Sequence, residues 1–220
     1  MSLERSNVRT VGVIPARWSS SRLPGKALLE ICGKPLVQWV YEGCRRAASL
    51  DDLLVATDDR RIAAAVAGFG GQAVLTDSGH PSGTDRVAEA LAARPADLVV
   101  NIQGDEPLIE PELIDQLVAM ARRTGWDMVT AAAPLPDPAE AAKPSICKVV
   151  MRGDGRALYF SRQPIPAVRD AGRQFDEPLY WRHIGIYLYR RPFLERLVRE
   201  PPCLLEQAEC LEQLRALHIG

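Results

Sequence analysis

The chain has 220 residues, 47% hydrophobic and 25% charged, with 27 Lys and Arg against 28 Asp and Glu. Folding at this size buries roughly 70–75% of the unfolded surface, enough for a core without metal or disulfide staples. The net charge of −1 gives no general attraction to nucleic acid or an anionic membrane, so any anion site must be local.

In chain order, short apolar runs alternate with longer helical patterns. Val11–Ala16, Leu53–Thr57, Gln72–Leu75, Leu98–Gln103 and Met128–Ala132 read as strands. Between them Pro35–Ala48, Asp59–Gly70, Thr84–Ala93 and Pro111–Arg123 carry apolar residues near the helical period. Asp58 and Pro111 are expected helix starts, Thr84 an expected N-cap, and Gly68, Gly70 and Gly125 expected stops. This alternation predicts a three-layer α/β fold with a mostly parallel sheet. Ligands in such folds sit beyond the carboxyl ends of the strands, which singles out Arg17 onward, Asp58 onward and Gly104–Asp105.

After Pro134 the pattern changes. A proline-punctuated connection leads to strands at Ile146–Met151 and Ala157–Ser161 around the turn "RGDG". A polar segment then precedes a long strand, Tyr180–Arg190, and helical patterns at Pro192–Glu200 and Leu204–Leu217 close the chain. This half reads as an insertion lobe over the sheet's open end, with a dimer contact as its expected use.

Five cysteines without CxxC spacing (Cys32, Cys44, Cys147, Cys203, Cys210) fit reduced, mostly buried thiols in a cytoplasm. His80, His183 and His218 are far apart, which disfavours zinc. The N-terminus has no apolar core or cleavage site, and no apolar run approaches the roughly 20 residues of a membrane span. A soluble cytoplasmic protein is the expectation.

The stretch Val11–Leu28, "VGVIPARWSSSRLPGKAL", has the outline of a phosphate-binding loop. A Walker loop requires G-x-x-x-x-G-K-[ST]; with Gly25-Lys26 as the pair, Ser20 stands at the first glycine and Ala27 at the hydroxyl position. A dinucleotide turn requires G-x-G-x-x-G, and no glycine lies between Val13 and Gly25. What remains is a loop after a strand with three cations, Arg17, Arg22 and Lys26, among Ser19, Ser20 and Ser21. Arg offers forked hydrogen bonds to phosphate oxygens and Lys a compact charge, as cleavage of a triphosphate at its α-phosphorus requires. A solvated basic loop is the competing reading.

"IPARWSSSRLPGKAL" closely resembles the signature loop of the sugar nucleotidyltransferases, in particular the cytidylyltransferases that make CMP-activated acid sugars. "HPSGTDR" (His80–Arg86), "VVNIQGDEPLI" (Val99–Ile109), "ALYFSR" (Ala157–Arg162), "RHIGIYLYR" (Arg182–Arg190) and "LEQAECLEQLRAL" (Leu205–Leu217) narrow the resemblance. They match the 3-deoxy-manno-octulosonate cytidylyltransferase (CMP-Kdo synthetase) family, nearly end to end and in the same order. The resemblance implies one Rossmann-like nucleotidyltransferase domain over 8–220, with a nucleotide-binding half at 8–133 and a sugar-binding and dimer-contact half at 134–220. It implies a homodimer, CTP and Kdo as substrates, Mg2+ as cofactor and a place in lipopolysaccharide synthesis, with neither nucleic acid nor membrane as partner.

For individual residues, the resemblance assigns catalysis to Arg17, Lys26 and Asp105, with Asp105 the magnesium ligand. Nucleotide contacts fall on Ala16, Arg17, Ser19, Arg22, Lys26, Ser82, Gly83 and Gln103. Arg162, His183, Tyr187, Glu212 and Gln213 match the sugar pocket. Local readings compete at several positions: Asp105 as a turn cap, Gln103 as a strand-end hydrogen bond, Glu106 as a magnesium-side partner or a solvated carboxylate. Asp85 and Arg86 pairing with neighbours, His183 as a structural histidine and Tyr187 as core complete that set. Strand alternation places His183, Gly185 and Tyr187 on one face.

The implied reaction is direct attack of the sugar's anomeric hydroxyl on the α-phosphate of CTP, releasing pyrophosphate without a covalent enzyme intermediate. Family members carry a further aspartate in a "VDTPEDL"-like segment that shares in magnesium binding, and this sequence ends at Leu217–Gly220 before any such segment. The expectation is a longer natural chain. A lost metal ligand, giving a catalytically silent nucleotide-sugar binder, is the alternative; a related acid sugar, 8-amino-Kdo or sialic acid, is the same-class one.

Overall fold

The computed structural model describes residues 8–19, 23–170, 173 and 175–220. The chain divides into two compact units, 1–129 with 186–198, and 130–185 with 199–220. The sequence boundary at 133/134 misses the return of the chain to the first unit, because one long strand serves both.

The first unit contains strands β1 (Thr10–Ala16), β2 (Glu30–Ile31), β3 (Lys34–Pro35), β4 (Asp52–Thr57), β5 (Gln72–Leu75) and β6 (Leu98–Asn101). Its helices are α1 (Leu36–Cys44), α2 (Arg60–Gly68), α3 (Gly83–Ala90) and α4 (Pro111–Thr124). The first two residues of β7 (Met128–Pro134), the second half of β10 (Trp181–Arg190) and α6 (Arg191–Leu197) also belong to it. Sheet order is β5-β4-β1-β6-β10, with the first four parallel and β10 antiparallel to β6 through Tyr187↔Asn101. Consecutive residues Val13 and Ile14, and Leu54, Val55 and Ala56, are all buried. Successive side chains point to opposite faces, so both faces are covered, the three-layer arrangement the alternation predicts. The sheet ends with its carboxyl tips at Ala16, Thr57, Leu75 and Asn101, from which the functional loops leave.

The second unit holds the rest of β7, α5 (Pro138–Ala141), β8 (Lys148–Met151), β9 (Ala157–Ser161), the first half of β10, α7 (Leu204–Glu209) and α8 (Gln213–Ile219). β8 pairs antiparallel with β9 and, at Lys148↔Arg182, with β10. Val149, Phe160, Leu211 and Leu214 form its core, with Trp181, Tyr159 and Cys147 against them.

Four local expectations need correction. Leu204–Leu217 is two helices, because Cys210 adopts the left-handed conformation (φ 50°) and stops the first. The N-cap of α3 is Ser82, whose extended backbone lets Oγ accept from the Thr84 and Asp85 amides, while Thr84 already lies inside the helix. Asp59, and not Asp58, caps α2. Only Cys44 is buried; Cys32 and Cys210 are exposed, and Cys147 and Cys203 half-buried.

Candidate active site

The loop after β1 is organised around Trp18. Ala16 is buried and in register with Thr57, and Arg17 and Ser19 follow it, both exposed. The Trp18 amide donates to Asp58 Oδ1 (3.2 Å), and its carbonyl accepts from the Gly25 amide (2.9 Å). The Arg61 guanidinium lies 3.3 Å from the indole centroid, a cation–π contact, and is itself held by the Asp59 carboxylate. Gly25 sits at φ 71°, and a Cβ there would lie 2.9 Å from Trp18 Cη2, so glycine is required for both conformation and space. Lys26 then opens a short 3-10 helix, Lys26–Leu28. Arg22, with Ser20 and Ser21, lies outside the described residues.

Beside this loop, Ile102 extends the β6 ladder by donating to Val13 O, and the chain turns at Gln103–Glu106. A Cβ on Gly104 would stand 2.9 Å from Pro15 O. The missing side chain lets the turn press against β1 and deliver Asp105 next to Lys26. Lys26 Nζ lies 2.7 Å from Asp105 Oδ2, across 79 residues of sequence, with the side chains 40% and 49% exposed. An exposed pair of this kind contributes at most about 1 kcal/mol, so its groups can exchange partners when a ligand arrives. Gln103 is half-buried.

Magnesium is reluctant to shed water and is usually held by one or two carboxylates plus substrate phosphates. Asp105, exposed and paired with Lys26, offers the one carboxylate that mode requires. Among the described residues no group of three His, Cys, Asp or Glu side chains could hold a metal by itself.

The third wall is the start of α3. Gly83 packs on the Pro15 ring, its Cβ position 3.4 Å from Cγ, and Ser82 Oγ donates to Asp85 Oδ2 (2.6 Å). Asn101 Nδ2 donates to Thr84 Oγ1 (3.3 Å) from the end of β6. Arg86 Nη2 donates to Asp58 Oδ2 (3.0 Å), and Nη1 to Thr76 Oγ1. Asp85 and Arg86 thus pair with neighbours, as the local reading had it. The structure brings together Ala16, Arg17, Ser19, Lys26, Gln103 and Asp105 on the tips of β1 and β6, with Ser82 and Gly83 against β1.

In the second unit His183 is enclosed. Its Nε2 is 2.8 Å from Thr130 Oγ1, its Nδ1 is 3.5 Å from Gln213 Nε2, and Phe160 meets it edge-on at 4.9 Å. Thr130 Oγ1 also lies 3.3 Å from Ile184 O. The Gln213 amide nitrogen can only donate, which suits a neutral ring that accepts at Nδ1 and carries its proton on Nε2. Burial lowers the His183 pKa to about 4, leaving a neutral ring at pH 7. Gln213 also donates to Cys147 Sγ (3.5 Å), and burial raises that thiol to about 11. Glu212 is the N-cap residue of α8, half-buried. Tyr187 belongs to the first unit, where it stacks on Tyr189 at 6.0 Å.

Arg162 spends its guanidinium on the backbone carbonyls of Glu209 (2.7 Å), Pro144 (3.0 Å) and Cys210 (3.2 Å). Glu209 answers by accepting from Ser161 Oγ and the Arg162 amide. Lys148, fully buried, donates to the carbonyls of Lys143, Ile146 and Arg162, and burial lowers its pKa. Sequence reasoning missed Lys148, Glu209 and the bracing by Trp18. A lone lysine in the apolar run "ICKVVM" was the one available signal.

Comparison with known proteins gives a consistent answer. The family model described as cytidylyltransferase matches residues 11–220. A 3-deoxy-manno-octulosonate cytidylyltransferase from Syntrophobacter fumaroxidans is 52% identical over 97% of this chain and 86% of its own. One from Geobacter sulfurreducens is 46% identical over 94% of this chain and 86% of its own. A solved structure of a CMP:2-keto-3-deoxy-manno-octonic acid synthetase complexed with CTP shares the fold at a TM-score of 0.91 and 46% identity, covering 96% of this chain and 86% of that one.

Proposed function

The chain belongs to the 3-deoxy-manno-octulosonate cytidylyltransferase family, and we propose that it transfers CMP from CTP to Kdo, giving CMP-Kdo and pyrophosphate. The observation that carries this reading is the meeting of Lys26 and Asp105 at 2.7 Å on the tips of β1 and β6. In the proposed site Arg17 and Lys26 hold the phosphates and stabilise charge on the departing pyrophosphate. Asp105 would hold magnesium, and the ion would supply charge neutralisation for the phosphates. Gln103 offers both a donor and an acceptor to a cytosine edge, and Ser82 and Gly83 contact base and ribose.

On the sugar side we assign Arg162, His183, Glu212 and Gln213 of the second unit to Kdo. A neutral His183 acts there as a hydrogen-bonding group rather than a proton source, and Gln213 sets its tautomer. Arg162, engaged with three carbonyls, reaches a carboxylate only by giving up one of them or through its remaining N–H groups. No step calls on a cysteine, in keeping with burial that drives the Cys147 and Cys44 thiols to about 11 and about 12.

The product places the enzyme ahead of the transferases that consume CMP-Kdo in lipopolysaccharide synthesis. We further propose a cytoplasmic homodimer. Among the described residues no helix is long and apolar enough to cross a membrane. Leu204 and Leu205, adjacent in the second unit, are 82% and 48% exposed, apolar surface that a second copy of the chain would cover. Pyrophosphate release tests the reading: it is expected with CTP, Kdo and magnesium together and with no other nucleoside triphosphate. Equal release without Kdo, or CTP binding without product, contradicts it.

A further inference from the structure

Asp58 is the point where two loops of the nucleotide site are tied together. It stands just past β4, its side chain is 10% exposed, and its two oxygens have different tasks. Oδ1 accepts from the Trp18 amide in the loop that carries Arg17, Ser19 and Lys26. Oδ2 accepts from Arg86, whose side chain is 3% exposed and which projects from the first turns of α3, behind Ser82 and Gly83. Arg86 is braced a second time by Thr76, beyond the end of β5.

We infer that the Asp58–Arg86 pair is a positioning device that sets the spacing between the polyphosphate loop and the base-contacting turn of α3. The assignment rests on the proposed CTP reaction. A buried carboxylate–guanidinium pair is an unreliable source of net stability, since desolvation offsets most of the attraction. What it supplies is fixed geometry, and a ligand that spans both loops is sensitive to their separation. Both side chains are largely buried and committed to protein partners, so the pair acts through Trp18 on one side and Ser82 and Gly83 on the other.

The test is steady-state kinetics on the full chain with Asp58→Asn/Arg86→Gln, which removes both charges and leaves no unpaired buried ion. A second variant, Arg86→Lys, keeps the charge without the forked geometry. Thermal melting establishes that each is folded. In both variants the KM for CTP is expected to rise about tenfold while the KM for Kdo stays within about twofold, since only the nucleotide-spanning geometry is disturbed. A merely structural pair would lower the amount of active enzyme without moving one KM selectively. A folded double variant with the wild-type KM for CTP overturns the assignment. So does a double variant that cannot fold alongside an Arg86→Lys enzyme with the wild-type KM. A wild-type chain with no CTP-dependent turnover overturns the parent reading and the assignment with it.

Discussion

Replacing Gly104 by alanine tests the packing that brings Asp105 to the phosphate loop. The new Cβ would stand 2.9 Å from Pro15 O, whereas carbon–oxygen contacts settle near 3.3–3.6 Å. The turn must therefore move by about 0.4–0.7 Å, since the contact atom is backbone within a registered strand and cannot rotate away. Overpacking of this kind costs about 1–3 kcal/mol, a fall in Tm of about 2–12 °C at this chain length. A displacement of 1 Å at a reacting centre can cost about a hundredfold in rate, so kcat/KM for CTP is expected to fall at least about tenfold. Circular dichroism melting and pyrophosphate release measure the two effects. Gly153→Ala is the control, because nothing lies within 4 Å of its Cβ position. Wild-type melting and kcat/KM in Gly104→Ala would refute the close-approach argument.

Asp105→Asn is expected to change Tm by no more than about 2–4 °C, because the pair with Lys26 is exposed, and to remove most magnesium-dependent turnover; near-normal rate at limiting magnesium would remove Asp105 as the metal ligand. Arg17→Ala is expected to weaken CTP use by about tenfold or more with an unchanged melt, as loss of a charge-assisted phosphate contact requires, and unchanged kinetics would take Arg17 out of the site. His183 is predicted to make the protein acid-sensitive. Its folded pKa of about 4 lies below the ordinary 6.5, so between those values the unfolded chain binds more protons, and stability is full above about pH 6.5 and falls as pH drops toward 4. Urea unfolding at pH 7 and pH 4.5 is expected to show about 2 kcal/mol more acid loss in the wild type than in His183→Gln; equal losses would contradict the buried neutral ring.

The strands and helices of the first half were legible because their cause is local. "VGVIPA" and "LLVAT" are apolar runs, the pattern of strands buried on both faces, and they fall on β1 and β4, while "QAVL" falls on the edge strand β5, whose end residues are exposed. The break in Leu204–Leu217 was not legible, since the left-handed conformation at Cys210 belongs to a residue type that rarely adopts it. The pairing of Lys26 with Asp105 could be placed on strand tips from periodicity and the ligand rule, but its distance depends on Gly104 meeting Pro15, a tertiary contact. Arg162 shows the opposite limit. A lone arginine in sequence suggests an anion, and only the fold reveals three carbonyls around its guanidinium.

The most direct measurement is a crystal structure of this chain with CTP and magnesium. The expected result is a triphosphate within hydrogen-bonding distance of Arg17 and Lys26 and a divalent ion on Asp105, with the cytosine beside Gln103 and the Ser82–Gly83 turn. A triphosphate bound away from the tips of β1 and β6 would contradict the assignment.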